Sequence, residues 1–266
     1  MSKINFLLTA YQCNDVLAET LAPFLHYRFY HPESKISIIH SVFKENHELG
    51  MPVFSTDGTC HALEAYHVNH NVDYLHIAPN PLTEAEARNS ALKPLLENGC
   101  DFVFIADLGD EFFTVENIEK IIEEVEKNND VALFKISYKN YAITPNTFLE
   151  EPFCPNRIWR VNCGDYKIEQ FRWDNDISYK NSDNTKVQDI VFKSMIIPKG
   201  VGWVRHNTWV GIKERIINKI KYQENHFKSG AGCSYKWDNE KGLIFNEEYF
   251  IKMSLPLPKL MMEVTL

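Results

Sequence analysis

Long apolar runs are missing from this sequence, and their absence is the first limit on what the protein does. A helix that crosses a membrane needs about 18 or more consecutive apolar residues, and no stretch of the 266 residues reaches that length. The N-terminus also lacks a long apolar segment behind a basic start, so the sequence predicts no secretory signal. Together these absences predict a cytoplasmic protein without a transmembrane segment.

Closely spaced cysteines are missing as well. Two cysteines in a C-x-x-C pattern would indicate a zinc or redox site, and no pair has that spacing. A chain of this length does not need disulfide bonds to hold its core together. We therefore expect free thiols in a reducing compartment at the six cysteines, Cys13, Cys60, Cys100, Cys154, Cys163 and Cys233.

Positive charge is in deficit. The 28 Lys and Arg residues are outnumbered by 36 Asp and Glu residues, which gives a net charge of −8 and disfavours a broad nucleic-acid-binding face. Internal repeats and low-complexity linkers are also absent. Because 266 residues are close to the size that one core fills, we expect a single compact domain built from two halves, residues 1–142 and residues 143–266.

The first half contains a regular alternation of strands and helices. Short runs of β-forming apolar residues are followed by segments in which apolar residues recur at helical spacing. This alternation predicts an α/β fold with a mostly parallel sheet flanked by helices. Strands are predicted at 3–9, 35–40, 73–77, 101–107 and 131–138, and helices at 16–25, 60–66, 83–96 and 115–127.

The second half has a different pattern, with more prolines and polar stretches, and predicts a small antiparallel and helical C-terminal region. Short antiparallel strands are predicted at 157–161 and 167–173, followed by a helix at 185–195 that carries Asp189. A basic helix is predicted at 213–227. We interpret its Lys and Arg side chains as a solvated face, with a phosphate site as the alternative.

Three acids follow the predicted strand at residues 101–107. Asp107, Asp110 and Glu111 cluster around Gly109, at the edge of the sheet where α/β proteins bind ligands. Carboxylates this close together repel unless one is protonated or a cation lies between them, and hard oxygen ligands suit Mg²⁺ or Mn²⁺. The alternative is a solvated acidic turn that leads into the helix starting near Thr114.

Several motifs in this order resemble the family-2 glycosyltransferases, which have the GT-A fold. The resemblance spans about residues 3 to 210. It depends on the order and spacing of four short motifs, Ala87-Arg88-Asn89, Asp107-Leu108-Gly109-Asp110-Glu111-Phe112-Phe113, Gln188-Asp189 with Lys199-Gly200, and Arg205-His206.

The resemblance implies an inverting transfer of a sugar from a nucleotide-diphosphate sugar to an acceptor hydroxyl, assisted by Mn²⁺ or Mg²⁺. The family motif is usually Asp-x-Asp, and here Gly109 stands where its second acid would be. We therefore assign Asp107 to the donor and Asp110 to the metal, with Glu111 as its substitute. His206 resembles a family histidine that approaches the metal or the diphosphate.

The resemblance also assigns the other site residues. Asp189 matches the family's catalytic base, and Arg88 matches an arginine near the donor, where it would pair with phosphate or hold one of the acids. The end of the first strand, at Thr9, Ala10 and Tyr11, would contact the nucleotide, which we expect to belong to a UDP-sugar. Asp57 is a further candidate donor contact, although it lies beyond the second strand.

The second half would bind the acceptor, which is a glycan, a lipid, a protein or a modified nucleobase. Two other functions remain open. A nucleotidyltransferase would normally have a Gly-rich phosphate loop after its first strand, and this chain has Ala10-Tyr11-Gln12-Cys13 there. A sugar- or nucleotide-binding protein that has lost catalysis would be consistent with Gly109 in the acid motif.

Overall fold

The structure is a computed structural model that describes most of the chain. The described residues are 2–143, 146–150, 154–173, 176–181, 186–187, 192–209, 213–226, 233–254, 257 and 261–262.

Strands and helices alternate along the first half, as predicted. The helices are α1 (Leu17–Tyr30), α2 (Lys44–Glu48), α3 (Thr59–Val68), α4 (Glu84–Glu97), α5 (Val115–Lys127), α6 (Lys213–His226) and α7 (Glu247–Lys252). The strands are β1 (Ile4–Ala10), β2 (Ile36–His40), β3 (Tyr74–Ile77), β4 (Phe102–Asp107), β5 (Glu111–Phe112), β6 (Leu133–Lys135), β7 (Ser137–Ala142), β8 (Thr147–Glu150), β9 (Asn156–Arg160), β10 (Asn162–Cys163), β11 (Tyr166–Trp173), β12 (Asp176–Asn181), β13 (Lys186–Val187), β14 (Ser194–Ile196), β15 (Trp203–Trp209), β16 (Tyr235–Asp238), β17 (Gly242–Phe245) and β18 (Met261–Met262).

The main sheet positions the site. Its strand order is β14-β6-β9-β4-β1-β2-β3, in which β1, β2, β3 and β4 are parallel and β9 runs antiparallel between β4 and β6. From β1 the chain passes through α1 to β2 on one side, and later through α4 to β4 on the other side. The strand order therefore reverses between β1 and β4, which is where open α/β sheets form a ligand crevice.

The central strands are buried on both faces, as their apolar runs predict. Phe6 and Leu8 of β1 pack with α1 and α5 on one face, whereas Leu7 packs with α4 on the other face. The same alternation continues in β4. The sheet is therefore a rigid platform, and the ends of its strands carry the polar side chains.

Smaller sheets surround the platform, which confirms the predicted α/β class with an antiparallel and helical C-terminal region. An antiparallel sheet β10-β11-β12-β13 covers α4 through Phe171 and Ile177. A third sheet has the order β18-β8-β7-β15-β5, and the β16-β17 hairpin packs with α6. No helix among the described residues is both long and apolar enough to span a bilayer.

Helix ends follow local sequence rules. Helix α4 begins with a capping box, in which Thr83 Oγ1 accepts a hydrogen bond from Glu86 N at 3.2 Å and the Glu86 carboxylate accepts one from Thr83 N at 2.8 Å. Helix α5 has the predicted bounds and begins behind Thr114, whose hydroxyl accepts a hydrogen bond from Asn117 N.

Two predicted elements differ from the structure. The strand predicted at 131–138 is interrupted at Ile136, whose backbone N bonds to Pro155 O, and the chain there passes from one sheet to another. The helix predicted at 185–195 is wrong at both ends, because Lys186–Val187 and Ser194–Ile196 are strands. Pairing with β6 at the edge of the main sheet overrides the local helical spacing at β14. Asp189 lies outside the described residues.

Candidate active site

A cleft of about 550 Å³ opens at the carboxyl ends of β1 and β4. A volume of this size falls in the range of roughly 300–1,000 Å³ that is typical of small-molecule sites. Helix α6 closes the cleft on one side. The lining includes Thr9, Ala10 and Tyr11 from the end of β1, Asp57, Asp107 and Asp110, and Asn218 and Lys219 from α6. The fold thus brings together all of the predicted donor contacts except Arg88 on the surface of one cleft.

Asp107 is the acid at the centre of the cleft. It is the register partner of Thr9 across the β1-β4 pair, and Thr9 Oγ1 donates a hydrogen bond to Asp107 Oδ1 at 2.5 Å. Two arginines also bind it. Arg157 Nη2 lies 3.0 Å from Oδ2, and Arg88 Nη2 lies 3.4 Å from Oδ1. The side chain of Asp107 is 29% exposed to solvent, so the carboxylate is accessible from the cleft.

These contacts determine the charge of Asp107. Burial by itself would raise the pKa of this carboxyl, but Arg157 and Arg88, together with the Thr9 hydroxyl, outweigh burial and hold the pKa below its usual value. Asp107 is therefore ionised at neutral pH. It presents a hydrogen-bond acceptor with a fixed orientation to whatever occupies the cleft.

Arg88 is buried, with only 1% exposure, and lies beneath the cleft wall. Its Nη2 contacts both Asp107 and Glu84. Of the two roles that the sequence left open for Arg88, the structure supports the one in which it holds an acid of the acidic turn.

Gly109 explains why the acid motif departs from Asp-x-Asp. Its φ angle is +96°, which is the left-handed region that glycine enters without strain. The turn is closed by a hydrogen bond from Asp110 N to Asp107 O at 3.3 Å. An aspartate at position 109 would be strained, and in this turn the next acid that can face the cleft is Asp110.

Asp110 faces α6 and forms an ion pair with it. Lys219 Nζ lies 2.9 Å from Asp110 Oδ2, and each of the two side chains is 26% exposed to solvent. Asn207 N also donates a hydrogen bond to Asp110 O at 2.8 Å, which ties the acidic turn to β15. The interpretation of the basic helix as a solvated face is therefore wrong at Lys219, which lines the cleft.

Glu111 is enclosed beneath the cleft, with 1% exposure. Its Oε1 forms an ion pair with Arg157 Nη2 and accepts a hydrogen bond from the Tyr138 hydroxyl, while Oε2 accepts one from Asp107 N at 3.2 Å. Burial raises the pKa of Glu111 to about 7 despite the nearby guanidinium. Both oxygens thus have protein partners, and the prediction of Glu111 as a substitute metal ligand has no support in this arrangement.

His206 lies beside Glu111 in the β15-β5 register. Its Nδ1 is 2.5 Å from Asn140 Oδ1, and its ring stacks on Tyr138 with centroids 4.7 Å apart. Burial lowers the pKa of His206 to about 3, so the imidazole is neutral at neutral pH. Because the amide oxygen can only accept, Nδ1 carries the proton in this arrangement and Nε2 carries the lone pair.

The two acids among the predicted metal ligands, Asp110 and Glu111, do not fit a divalent ion as the structure arranges them. The charge of Asp110 is balanced by Lys219, and the oxygens of Glu111 contact Arg157, Tyr138 and a backbone amide. Within the described part of the chain, no group of three or more His, Cys, Asp or Glu residues is arranged to hold a metal ion. The mutual repulsion of the acids, which suggested a metal from the sequence, is relieved by arginine and lysine side chains.

Arg157 is the site residue that sequence reasoning missed. It lies on β9 with 4% exposure, and its guanidinium contacts Asp107, Glu111 and Tyr138. The signal was an arginine at the start of a predicted strand, followed by Ile158 and Trp159, because an arginine that such a strand encloses needs an acidic partner. The identity of that partner depends on β9 lying beside β4, which the local sequence does not encode.

Tyr11 keeps its predicted place at the end of β1. Its hydroxyl donates a hydrogen bond to Pro52 O at 2.5 Å, and its ring lies 5.6 Å from the ring of His40. The aromatic side chain lines the cleft. A flat ring held at its hydroxyl end is suited to packing against a nucleotide base.

Asp57 also lines the cleft, but its oxygens hold the surrounding loops. Oδ2 accepts a hydrogen bond from Asn14 N at 2.9 Å, and Oδ1 accepts bonds from Thr59 N at 3.0 Å and Thr59 Oγ1 at 2.7 Å. It therefore connects the loop after β1 to the start of α3. A donor contact by Asp57 would have to share these oxygens.

Glu111 and His206 predict opposite effects of pH on stability. The pKa of Glu111 is raised from 4.5 to about 7, so between these values the folded state holds an extra proton and stability falls as pH rises. The pKa of His206 is lowered from 6.5 to about 3, so in that window the unfolded state holds the extra proton and stability rises with pH.

Single variants should separate the two effects. Between pH 4.5 and 6.5, urea unfolding of Glu111→Gln should show stability rising more steeply with pH than in the wild type, and His206→Asn should show the reverse. Asp165→Asn, at an exposed turn, is the control and should keep the wild-type slope. If both site variants shifted the slope in the same direction, the account of this buried pair would be wrong.

Comparisons with known proteins give only distant similarities. Neither the protein-family models nor the curated proteins include a match to this chain. Among solved structures, it is similar to TarS 1-349 from S. aureus, with 14% identity and a TM-score of 0.45 over 90% of this chain and 76% of that one. The same fragment with UDP-GlcNAc gives 13% identity and a TM-score of 0.46, over 82% of this chain and 64% of that one.

A third similar structure is the mannosyltransferase PcManGT from Pyrobaculum calidifontis in complex with GDP-Man and Mn²⁺. Its identity is 15% and its TM-score is 0.37, over 52% of this chain and 36% of that chain. Scores and identities this low carry no conclusion about function. The functional conclusion therefore depends on the cleft itself.

Proposed function

We propose that this chain is a glycosyltransferase that binds a nucleotide-diphosphate sugar in the cleft between β1 and β4. The observation that carries the proposal is the ionised carboxylate of Asp107, held by two buried arginines at the point where the strand order reverses. In α/β sheets this is the place where a nucleotide binds, and an acid there accepts hydrogen bonds from ribose hydroxyls. Lys219 on the opposite wall supplies positive charge for the phosphates.

The parts of the donor would occupy different parts of the cleft. The base would pack near Tyr11 and the ribose near Asp107 and Thr9. The diphosphate would extend toward Asp110 and Lys219 on the α6 side. The positions of the base and the ribose agree with the resemblance to family-2 glycosyltransferases, which assigns the end of the first strand to the nucleotide and Asp107 to the donor.

The proposed reaction is a single displacement that inverts the anomeric carbon. The acceptor oxygen forms a bond to that carbon, the bond from the carbon to the phosphate oxygen breaks with its electron pair, and a carboxylate takes the acceptor's proton. Asp189 stays the predicted base, and it lies outside the described residues. The acceptor stays within the predicted classes: a glycan, a lipid, a protein or a modified nucleobase.

A catalytically inactive nucleotide-sugar-binding protein is the second candidate. The observation that favours it is that the acids at the cleft have their charges balanced by Arg88, Arg157 and Lys219. Both candidates predict donor binding, and only the first predicts turnover. The nucleotidyltransferase alternative gains nothing from the structure, because the turn after β1 has no glycine.

Donor binding is tested by thermal shift with UDP-GlcNAc, UDP-glucose and GDP-mannose. A ligand that binds only the folded state raises the melting temperature, and a concentration 100 times the dissociation constant should add about 2.7 kcal/mol of stability. We expect a UDP-sugar to give the largest shift, and release of UDP to show turnover. Shifts no larger than that of sucrose for every nucleotide sugar would contradict the proposal.

A further inference from the structure

The most informative feature beyond the proposed donor site is the lysine on α6. Ile216 and Ile220 of this helix are buried against the C-terminal hairpin, in a cluster with Leu243. This packing fixes the rotation of the helix and places Asn218 and Lys219 on the wall of the cleft. The lysine is therefore held at the cleft by the packing of its own helix.

The partner of this lysine is the acid that was predicted to hold the metal. Lys219 Nζ lies 2.9 Å from Asp110 Oδ2, and both groups are partly exposed to the cleft. A divalent ion on Asp110 would have to share this carboxylate with the ammonium group, and would lie close to it and to the guanidinium of Arg157 on neighbouring Asp107. These like charges would repel the ion.

We propose that Lys219 takes the place of a divalent metal in this cleft, as the cation that binds the diphosphate of the donor. The inference rests on the proposed function and names the positively charged group that binds the donor's diphosphate. An ammonium group has three N–H groups, so Lys219 can keep its hydrogen bond to Asp110 while it donates another hydrogen bond to a phosphate oxygen. Asp110 is then a positioning residue that holds the lysine in place.

The same contact supports the transfer step. When the bond between the anomeric carbon and the phosphate oxygen breaks, the electron pair stays on the diphosphate, whose negative charge grows. A fixed ammonium group stabilises that charge without any proton transfer. The acceptor's proton goes to the catalytic base. No atom changes its oxidation state, so the step needs no oxidant, and Lys219 supplies the positive charge that a metal would supply.

The test is calorimetric titration of UDP and of uridine, each in excess EDTA and in Mn²⁺. Wild-type protein should bind UDP with the same affinity in both conditions. Lys219→Met should weaken UDP binding by roughly 10- to 100-fold, because a hydrogen bond to a charged group is lost, and should leave uridine binding unchanged. Lys219→Arg should retain most of the UDP affinity. Lys221→Met, an exposed lysine on the same helix, is the matched control and should bind like the wild type.

Two results would overturn the role of Lys219 and leave the proposed function standing. The first is UDP binding that disappears in EDTA and returns with Mn²⁺, and the second is an unchanged UDP affinity in Lys219→Met. Absence of both UDP and uridine binding by the wild type in either condition would instead remove the donor site and this inference with it. Circular dichroism of each variant establishes that an affinity change is not a folding defect.

Discussion

Replacing Arg157 with methionine is expected to lower the free energy of unfolding by about 3–5 kcal/mol, as is typical when one partner of a buried ion pair is removed. The guanidinium has 4% exposure and contacts the carboxylates of Asp107 and Glu111 and the hydroxyl of Tyr138. Methionine fills much of the same space, so the loss is chiefly electrostatic. It would leave Glu111 without its guanidinium partner and Asp107 with Arg88 alone.

The control for this prediction is Arg160→Met on the same strand. Arg160 donates to the backbone carbonyls of Val131 and Asn128 and has no acidic partner at hydrogen-bond distance in the described structure, so we expect a smaller loss. Adding Glu111→Gln to Arg157→Met should restore part of the stability, because the amide, unlike the carboxylate, does not have to take up a proton in order to be buried without the guanidinium. Urea unfolding measures all three. A loss under about 1 kcal/mol for Arg157→Met would show that the buried network does not hold the acidic turn.

Asp107→Asn is expected to lower kcat/KM for release of UDP from a UDP-sugar by about 10- to 100-fold, because a charged acceptor is replaced by a neutral amide of the same shape. The amide also has an NH₂ group, which cannot accept a hydrogen bond from either the arginines or a ribose hydroxyl. Asp165→Asn removes a charge from an exposed turn and should match the wild type.

This second prediction needs a check on folding. The variant leaves Arg88 and Arg157 with one acidic partner fewer, so some loss of stability is expected along with the loss of activity. Circular dichroism and a melting temperature above the assay temperature would establish that folded protein is being measured. Wild-type kcat/KM in folded Asp107→Asn would refute the donor role of this acid.

The parts of the fold that the sequence predicts well are those encoded locally. Helix α5 has its predicted bounds because Thr114 caps it and its isoleucines recur at helical spacing. The buried strand β4 and its acids were visible as an apolar run that ends at Asp107. Alternation of strands and helices was enough to predict a parallel sheet and the edge where ligands bind.

The parts that it could not predict depend on contacts between distant segments. Arg157 reaches the acids because β9 inserts between β4 and β6, and Lys219 reaches Asp110 across 109 residues of chain. Strand β14 forms by pairing with β6, although its local spacing favours a helix. The clustered acids predicted a divalent metal, and in the structure the positive charge beside them comes from the side chains of Arg88, Arg157 and Lys219.

The most direct test of the donor site is a crystal structure of the protein with UDP bound. The account predicts the nucleotide in the cleft at the ends of β1 and β4, with the ribose within hydrogen-bond distance of Asp107 and the diphosphate within hydrogen-bond distance of Lys219. UDP bound at another surface, or in this cleft with its phosphates directed away from both residues, would contradict it.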